Sequence, residues 1–246
     1  MSSKVRLDKL LVDRGLADTR QRAQAIIRAG QVLVNDQPKD KPGTQVQDDV
    51  DVRIRGKTMP YVSRGGIKLA AALDAFDVNP EGRVCADLGA STGGFTDCLL
   101  QRGASRVFAV DVGYGQLAWK LRQDDRVVVM ERTNARHLEA LPEQANLIVG
   151  DLSFISLKKI LPAIQRLSGT GADAVLLIKP QFEVGKESIG KGGVVRDDGL
   201  RTQAIDGVRE AAEEAGAICH GVIDSPIAGA KKGNIEALIH LYLTAS

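Results

Sequence analysis

Short apolar runs alternate with helical periodicity along residues 64–246. The pattern predicts strands at Val84–Leu88, Val107–Val112, Val127–Glu131, Asn146–Leu152 and Ala174–Lys179. Helices are predicted between them near Gly94–Arg102, Gln116–Arg122, Ser156–Leu167 and Asp198–Ala215. Near-continuous apolar strands separated by helices imply a parallel sheet covered on both faces. A helix capped by Ser63, with Ile67, Leu69, Ala70, Leu73 and Phe76, precedes the first strand. Two last strands, Ile218–Ile223 and Ile235–Leu243, have only a loop between them and predict an antiparallel pair at one edge of the sheet.

The first 60 residues follow a different pattern. Leu7, Leu10 and Leu11 share one helical face, and Gly15 stands where a helix commonly ends. Asp18 or Thr19 can cap a second helix that turns Ala23, Ile26 and Ile27 inward and stops at Gly30. Val32 and Val34 then alternate toward a turn at Asn35-Asp36, and Val50–Ile54 predicts a further strand. Gly56, Pro60 and charged neighbours mark a linker over about 55–63, giving domains at 1–60 and 61–246.

Charge sharpens this division. Residues 1–60 hold 12 Lys and Arg against 8 Asp and Glu, whereas the rest hold 21 against 23, so a basic head precedes a mildly acidic body. Such a head is expected to bind a polyanion. Cys85, Cys98 and Cys219 are scattered and make neither a disulfide framework nor a metal-binding spacing. The stretch Met1–Arg14 lacks an apolar signal core, and no 18-residue apolar run occurs. A reducing cytoplasm is the expected location, with no membrane partner, no metal and no obligate protein partner evident.

The chemistry concentrates after the first strand of the body, where Asp87-Leu88-Gly89-Ala90-Ser91-Thr92-Gly93-Gly94-Phe95 breaks a strand with a glycine-rich turn and resumes as helix. Such a turn lets a nucleotide-like ligand approach bare backbone. Glycines follow Gly89 at plus four and plus five, not at plus two and plus five as in the dinucleotide fingerprint. A pyrophosphate cradle, and with it a dehydrogenase, is disfavoured, and adenosine without phosphates fits better. Asp111, 24 residues beyond Asp87 and followed by Val112, can accept from both ribose hydroxyls. Asn134 and Ala135 follow the third strand, near where an adenine would lie.

The head, through Arg6-Leu7-Asp8, Thr19-Arg20-Gln21-Arg22-Ala23 and Ile27–Asn35, resembles the small RNA-binding module named after a primary ribosomal small-subunit protein. The resemblance implies phosphate contacts from Arg6, Lys9, Arg20, Arg22 and Arg28, which hold the backbone without reading sequence. The body resembles S-adenosylmethionine-dependent methyltransferases. Four segments narrow it to the TlyA family, often labelled hemolysin and also ribosomal RNA 2′-O-methyltransferase: Tyr61–Leu69, Asp87–Asp97, Asp151–Leu157 and Ile178–Glu183. The fold implied is α/β: a Rossmann-like, doubly wound, mostly parallel seven-stranded sheet with an antiparallel edge pair, plus a small amino-terminal α+β RNA-binding domain.

The same resemblance carries a Lys-Asp-Lys-Glu set onto Lys68, Asp151, Lys179 and Glu236. Lys179 would act as general base on a ribose 2′-hydroxyl, with Lys68 beside it and the carboxylates holding both lysines. S-adenosyl-L-methionine is the cofactor implied, held by Asp87, the Gly89–Phe95 turn, Asp111, Val112, Asn134, Ala135 and Asp151. Ribosomal RNA or a ribosomal subunit is the implied partner, with cytidine in small-subunit or large-subunit RNA the implied target. The irregular, glycine-rich stretch Gly185–Arg196 and the loop Ala230–Asn234 are expected to meet RNA through Lys191, Lys231 and Lys232, and Arg64 is a further candidate contact. Two other readings compete: an idle RNA-binding protein on a methyltransferase scaffold, and a membrane-active hemolysin. The sequence has no strongly amphipathic basic helix to favour the latter.

Overall fold

The computed structural model describes residues 4–55, 59–185, 189–190, 193–227 and 234–244. The chain divides into two compact units, Met1–Pro60 and Tyr61–Ser246.

The first unit runs β1 (Lys4–Arg6), α1 (Leu7–Asp13), α2 (Arg20–Arg28), β2 (Val32–Val34), β3 (Gln37–Lys39), β4 (Gln45–Gln47) and β5 (Val52–Ile54). β1 pairs antiparallel with β4, and β2 lies between β3 and β5. Leu7, Leu10, Leu11, Ala23, Ile26 and Ile27 meet Val32 and Val34 in one small core. Thr19 caps α2 by accepting from the Arg22 amide. Asn35 and Asp36 both take positive φ, as a two-residue hairpin turn requires.

The second unit runs α3 (Gly65–Ala75), β6 (Val84–Leu88), α4 (Gly94–Gln101), β7 (Arg106–Val110), α5 (Trp119–Arg122), β8 (Val127–Met130), β9 (Ala145–Gly150), α6 (Leu161–Leu167), β10 (Ser168–Ile178), α7 (Pro180–Glu183), α8 (Asp198–Glu214), β11 (Ala217–Asp224) and β12 (Ala237–Leu243). Seven strands form one sheet in the order β11-β12-β10-β9-β6-β7-β8. The strands from β10 to β8 run parallel to their neighbours, and β12 runs antiparallel to both β10 and β11. The expected antiparallel pair is present at one edge, with β12 on its inner side.

Alternate residues of each strand serve opposite faces, as the pleat dictates. Ala86, Leu88, Phe108, Val110, Ile148, Leu176 and Ile239 pack with Leu161 and Ile164 of α6 and Val208 and Ala212 of α8. Cys85, Val107, Ala109, Leu147, Val149, Val175 and Leu238 pack with Leu69 and Leu73 of α3 and Cys98 and Leu99 of α4. Emptying a fully buried position such as Phe108 would cost about 3–5 kcal/mol.

Three local expectations differ. α3 begins after Arg64, and no side chain caps it, so Ser63 contributes only a backbone carbonyl that accepts from Gly66. The predicted helix at Ser156–Leu167 splits into a tight turn at Leu157–Lys159 and α6, with Pro162 in the first turn of α6. The predicted helix at Gln116–Arg122 shortens to α5, because Ala118 is extended.

Candidate active site

Parallel strands that end together leave a crevice beyond their carboxyl ends. Here a cleft of about 480 Å³ opens there, lined by Gly89, Ser91, Asp111, Val112, Asn134, Ala135 and Asp151 among others. A smaller lobe of about 180 Å³ adjoins it through shared Gly89, Ser91, Asp151 and Ser153. Its walls add Asp87, Ala90, Thr92, Gly94, Phe95 and Lys179.

The glycine turn is held by geometry as well as by sequence. Gly89 has φ +86°, and a β-carbon there would approach the Asp151 carbonyl oxygen to 3.0 Å. Gly93 stands apart from the cleft wall. Its φ of +92° starts α4, and a β-carbon would overlap Leu117 and Leu121. At Gly94 a β-carbon would overlap the Ser63 hydroxyl and crowd the Gly66 amide, so the start of α4 can lie this close to the start of α3 only with glycine at that position.

Asp111 is fixed by two backbone donors, Ser91 N at 2.8 Å and Gly113 N at 2.7 Å. Each oxygen keeps a lone pair for a further donor. Asn134 uses its carbonyl locally, accepting from Arg136 N at 3.0 Å to cap the turn Ala135–His137. Val112 is 69% exposed at the cleft, leaving an apolar surface of the sort an adenine ring covers.

Asp87 is fully buried. Its Oδ2 accepts from Thr96 N at 2.9 Å and from Thr96 Oγ1 at 2.7 Å, and its Oδ1 has no partner. Burial pushes its carboxyl up to about 7, against the Thr96 bonds, and the Asp151 and Asp111 carboxylates add to the rise. A buried, unpaired acceptor in a cleft wall calls for a donor or a cation from a ligand. The ammonium and sulfonium groups of S-adenosylmethionine answer that need, and the ribose hydroxyls answer the carboxylate of Asp111. The residues fit this cofactor.

The four charged residues form two pairs. Lys179, at the end of β10, lies 2.5 Å from Asp151 Oδ1 at the end of β9, and donates to Ser153 Oγ at 2.7 Å. Lys68 on α3 donates to Glu236 Oε2 at 2.6 Å, and both are buried. Each lysine therefore has its own carboxylate: Glu236 for Lys68 and Asp151 for Lys179.

Several lining residues escaped the sequence reading: Gln116, Thr133, Leu152, Ser153, Phe154 and Ile155 in the larger lobe, Ser63 and Gly65 in the smaller. Phe154 is the most conspicuous. It is 91% exposed, has φ +66°, and tilts against Phe182 with ring centroids 5.4 Å apart. A bulky aromatic residue at positive φ is uncommon, unlike the Asn35-Asp36 turn, and this feature is visible only in the backbone. Tyr114, on the loop that supplies Val112 and Gln116, lies under the Arg132 guanidinium at 4.3 Å.

In the first unit, Lys9, Arg22 and Arg28 are exposed. Arg6 and Arg20 both bind the covered carboxylate of Asp8, at 2.9 and 3.0 Å, while keeping about half of their side chains in solvent. The Arg6 guanidinium holds the Asp8 carboxyl far below the usual range, with help from Gln24 and Arg20. Arg64 is exposed at the start of α3. Lys191, Lys231 and Lys232 lie outside the described residues. Among the described residues, no helix is long and apolar enough to cross a membrane.

Comparison with known proteins agrees with this geometry. Residues 61–242 match the FtsJ-like methyltransferase model, and residues 5–52 match the S4 domain. The 16S/23S rRNA (cytidine-2′-O)-methyltransferase TlyA of Mycobacterium tuberculosis is 50% identical over 98% of this chain and 91% of its own. Hemolysin A of Brachyspira hyodysenteriae is 41% identical over 97% of this chain and 100% of its own. A solved structure of a candidate hemolysin from Streptococcus thermophilus superposes with a TM-score of 0.77, at 43% identity, covering 100% of this chain and 90% of that one. With an S4 domain ahead of an FtsJ-like methyltransferase domain and relatives along its whole length, the chain belongs to the TlyA family of methyltransferases.

Proposed function

We propose that this protein transfers a methyl group from S-adenosylmethionine to a ribose 2′-hydroxyl of ribosomal RNA, cytidine being the target nucleoside as in the relative from Mycobacterium tuberculosis. The observation that carries this reading is the Lys179–Asp151 pair in the wall of a lobe continuous with the cleft that holds Asp111. A ribose hydroxyl is a poor nucleophile until its proton is drawn away. S-adenosylmethionine, when bound, supplies a methyl group already activated on a sulfonium.

What remains for the protein is to hold the hydroxyl in line and to take its proton. Lys179 in its neutral form accepts that proton at Nζ as the oxygen attacks, then releases it to solvent. Asp151 and Ser153 aim Nζ into the lobe. The Lys68–Glu236 pair fixes α3 against the segment that leads into β12. Proton transfer of this kind contributes roughly 10²–10⁴-fold in rate.

Phe154 supports an RNA substrate. An exposed ring at the mouth of the cleft offers the face on which an unstacked base can lie. The exposed arginines of the first unit, with Lys9, supply the phosphate contacts that hold a folded RNA. The test is incubation of the protein and labelled S-adenosylmethionine with separated small and large ribosomal subunits, followed by mapping of the labelled positions by mass spectrometry. Label on ribose is the expected result, and label confined to bases would refute the 2′-hydroxyl reading.

A further inference from the structure

Two catalytic side chains from different strand ends must stay in register for one to orient the other. Asp151 and Ser153 lie on the loop that leaves β9, and Lys179 lies just before α7, in the segment that leaves β10. The Asp151 amide still donates to the Leu88 carbonyl at the end of the ladder, but Ser153 and α7 lie beyond it, so a tie between the two segments must come from their own side chains.

Glu183, the last residue of α7, does this from the far side. Its Oε2 accepts from Ser156 Oγ at 2.6 Å, and its Oε1 accepts from Leu157 N at 2.8 Å. Ser156 Oγ in turn accepts from Lys158 N at 3.2 Å, so the carboxylate captures the start of the turn Leu157–Lys159. Between this clasp and the Lys179–Asp151 pair, the Phe154 and Phe182 rings meet across the same two segments. Glu183 is partly buried, and that burial raises its carboxyl despite both donors. An ionisable group kept there against its desolvation is held for its two bonds.

We propose that Glu183 is a positioning residue, whose carboxylate ties the Asp151–Leu157 loop to the segment bearing Lys179 and so sets the Lys179–Asp151 geometry. It does not touch the reacting atoms. This inference rests on the assignment of Lys179 as base, and the experiment separates the two.

Single-turnover methylation of ribosomal subunits with labelled S-adenosylmethionine is measured for Glu183→Ala, Glu183→Gln, Ser156→Ala, Lys179→Ala and the Glu183→Ala/Lys179→Ala double variant. Cofactor affinity by calorimetry and melting temperature are followed alongside. Glu183→Ala should slow the methyl-transfer step by about 10- to 100-fold, a misplacement effect, with cofactor affinity within threefold of the parent. Glu183→Gln, which keeps one acceptor and a matching shape, should recover most of the rate.

In the Lys179→Ala background, Glu183→Ala should add little further loss, because residues acting through one group are not additive. A merely structural role would instead add its full loss in that background, and that outcome overturns the proposal. Normal rates in Glu183→Ala with Lys179→Ala impaired also overturn it, while leaving the base assignment intact. Normal rates in Lys179→Ala overturn the base assignment itself. Should Glu183→Ala fail to fold, Ser156→Ala removes one clasp bond without emptying the carboxylate site and carries the same comparison.

Discussion

Lys68 and Glu236 stand 168 residues apart in the chain and 2.6 Å apart in the fold, with both side chains nearly removed from solvent. A buried ion pair gains little over an apolar pair of similar volume, but loss of one partner strands the other as an uncompensated charge. Lys68→Met alone should therefore cost about 3–5 kcal/mol of stability. Lys68→Met with Glu236→Leu should regain most of that loss while leaving the protein inactive. Denaturant unfolding of the three proteins measures this, and a single-variant loss below about 1 kcal/mol would show that the pair is not effectively buried.

Asp87 should make cofactor binding depend on pH. Its carboxyl, pushed up to about 7 by burial, is largely protonated in the free protein at pH 6. A cationic ligand favours the ionised form, so affinity for S-adenosylmethionine should rise by up to about tenfold per unit below pH 7 and level off above it. Asp87→Asn should bind weakly and flatten the profile.

The stability of the free protein moves the other way. A carboxyl raised in the fold gives relative stability below its unfolded value near 4, and this is lost as pH rises toward 7. Asp87→Asn should thus melt above the parent at pH 8, with the gap closing near pH 4. Calorimetric titrations and melting curves across that range check both signs.

Phe154 is the position at which RNA affinity and cofactor affinity should separate. Base stacking on an aromatic ring contributes about 1–3 kcal/mol. Phe154→Ala should therefore weaken RNA by roughly tenfold while the S-adenosylmethionine Kd stays within twofold. Steady-state KM values for subunits, set beside calorimetry with the cofactor, give the comparison. An unchanged KM for RNA would remove Phe154 from the substrate site.

Asp8 is expected to govern the first unit in the same way that Glu183 governs the second. Its carboxylate holds Arg6, Arg20 and Gln24 at 2.9–3.0 Å. Asp8→Ala should cost about 1–3 kcal/mol of that unit's stability, the range for hydrogen bonds to a charged group. RNA binding should weaken too, although the net positive charge rises, because two guanidinium groups lose their fixed placement. Hydrogen exchange of α1 and α2 reads the stability, and salt-dependent RNA titration reads the binding. Tighter RNA binding in Asp8→Ala would mean that charge alone decides.

The parallel strands were legible because apolar runs bounded by helical periodicity leave little alternative, and Val84–Leu88 is found at its predicted bounds. Asp87 and Asp111 were legible for the same reason, since they stand where such strands must end. The three-residue strands β1, β3 and β4 were missed. Unlike the equally short β2, each holds one valine or none, and β3 carries Pro38 at the outside of its sheet.

Gln116, Thr133 and Ser153 were missed because loop residues have no period, and only folding brings them to the cleft. Gly93 reads as a ligand contact by spacing alone. That a β-carbon there would overlap Leu117 and Leu121 is a packing reason for glycine that spacing cannot show. Lys68 and Glu236 have no local signal at all, and only resemblance to a family pointed to them.

The insertion of β12 between β10 and β11 bears on the order in which the molecule becomes competent. β11 precedes β12 in the chain yet touches β10 only through it, so the sheet's outer edge waits for the strand that is made after it. Glu236 immediately precedes that strand, so the carboxylate that pairs with the buried Lys68 is brought to it by the placement of β12. Closure of the sheet and neutralisation of the lysine are then a single event. A chain cut short before β12 would therefore lack both the inner strand of the sheet's antiparallel edge and the carboxylate that Lys68 pairs with.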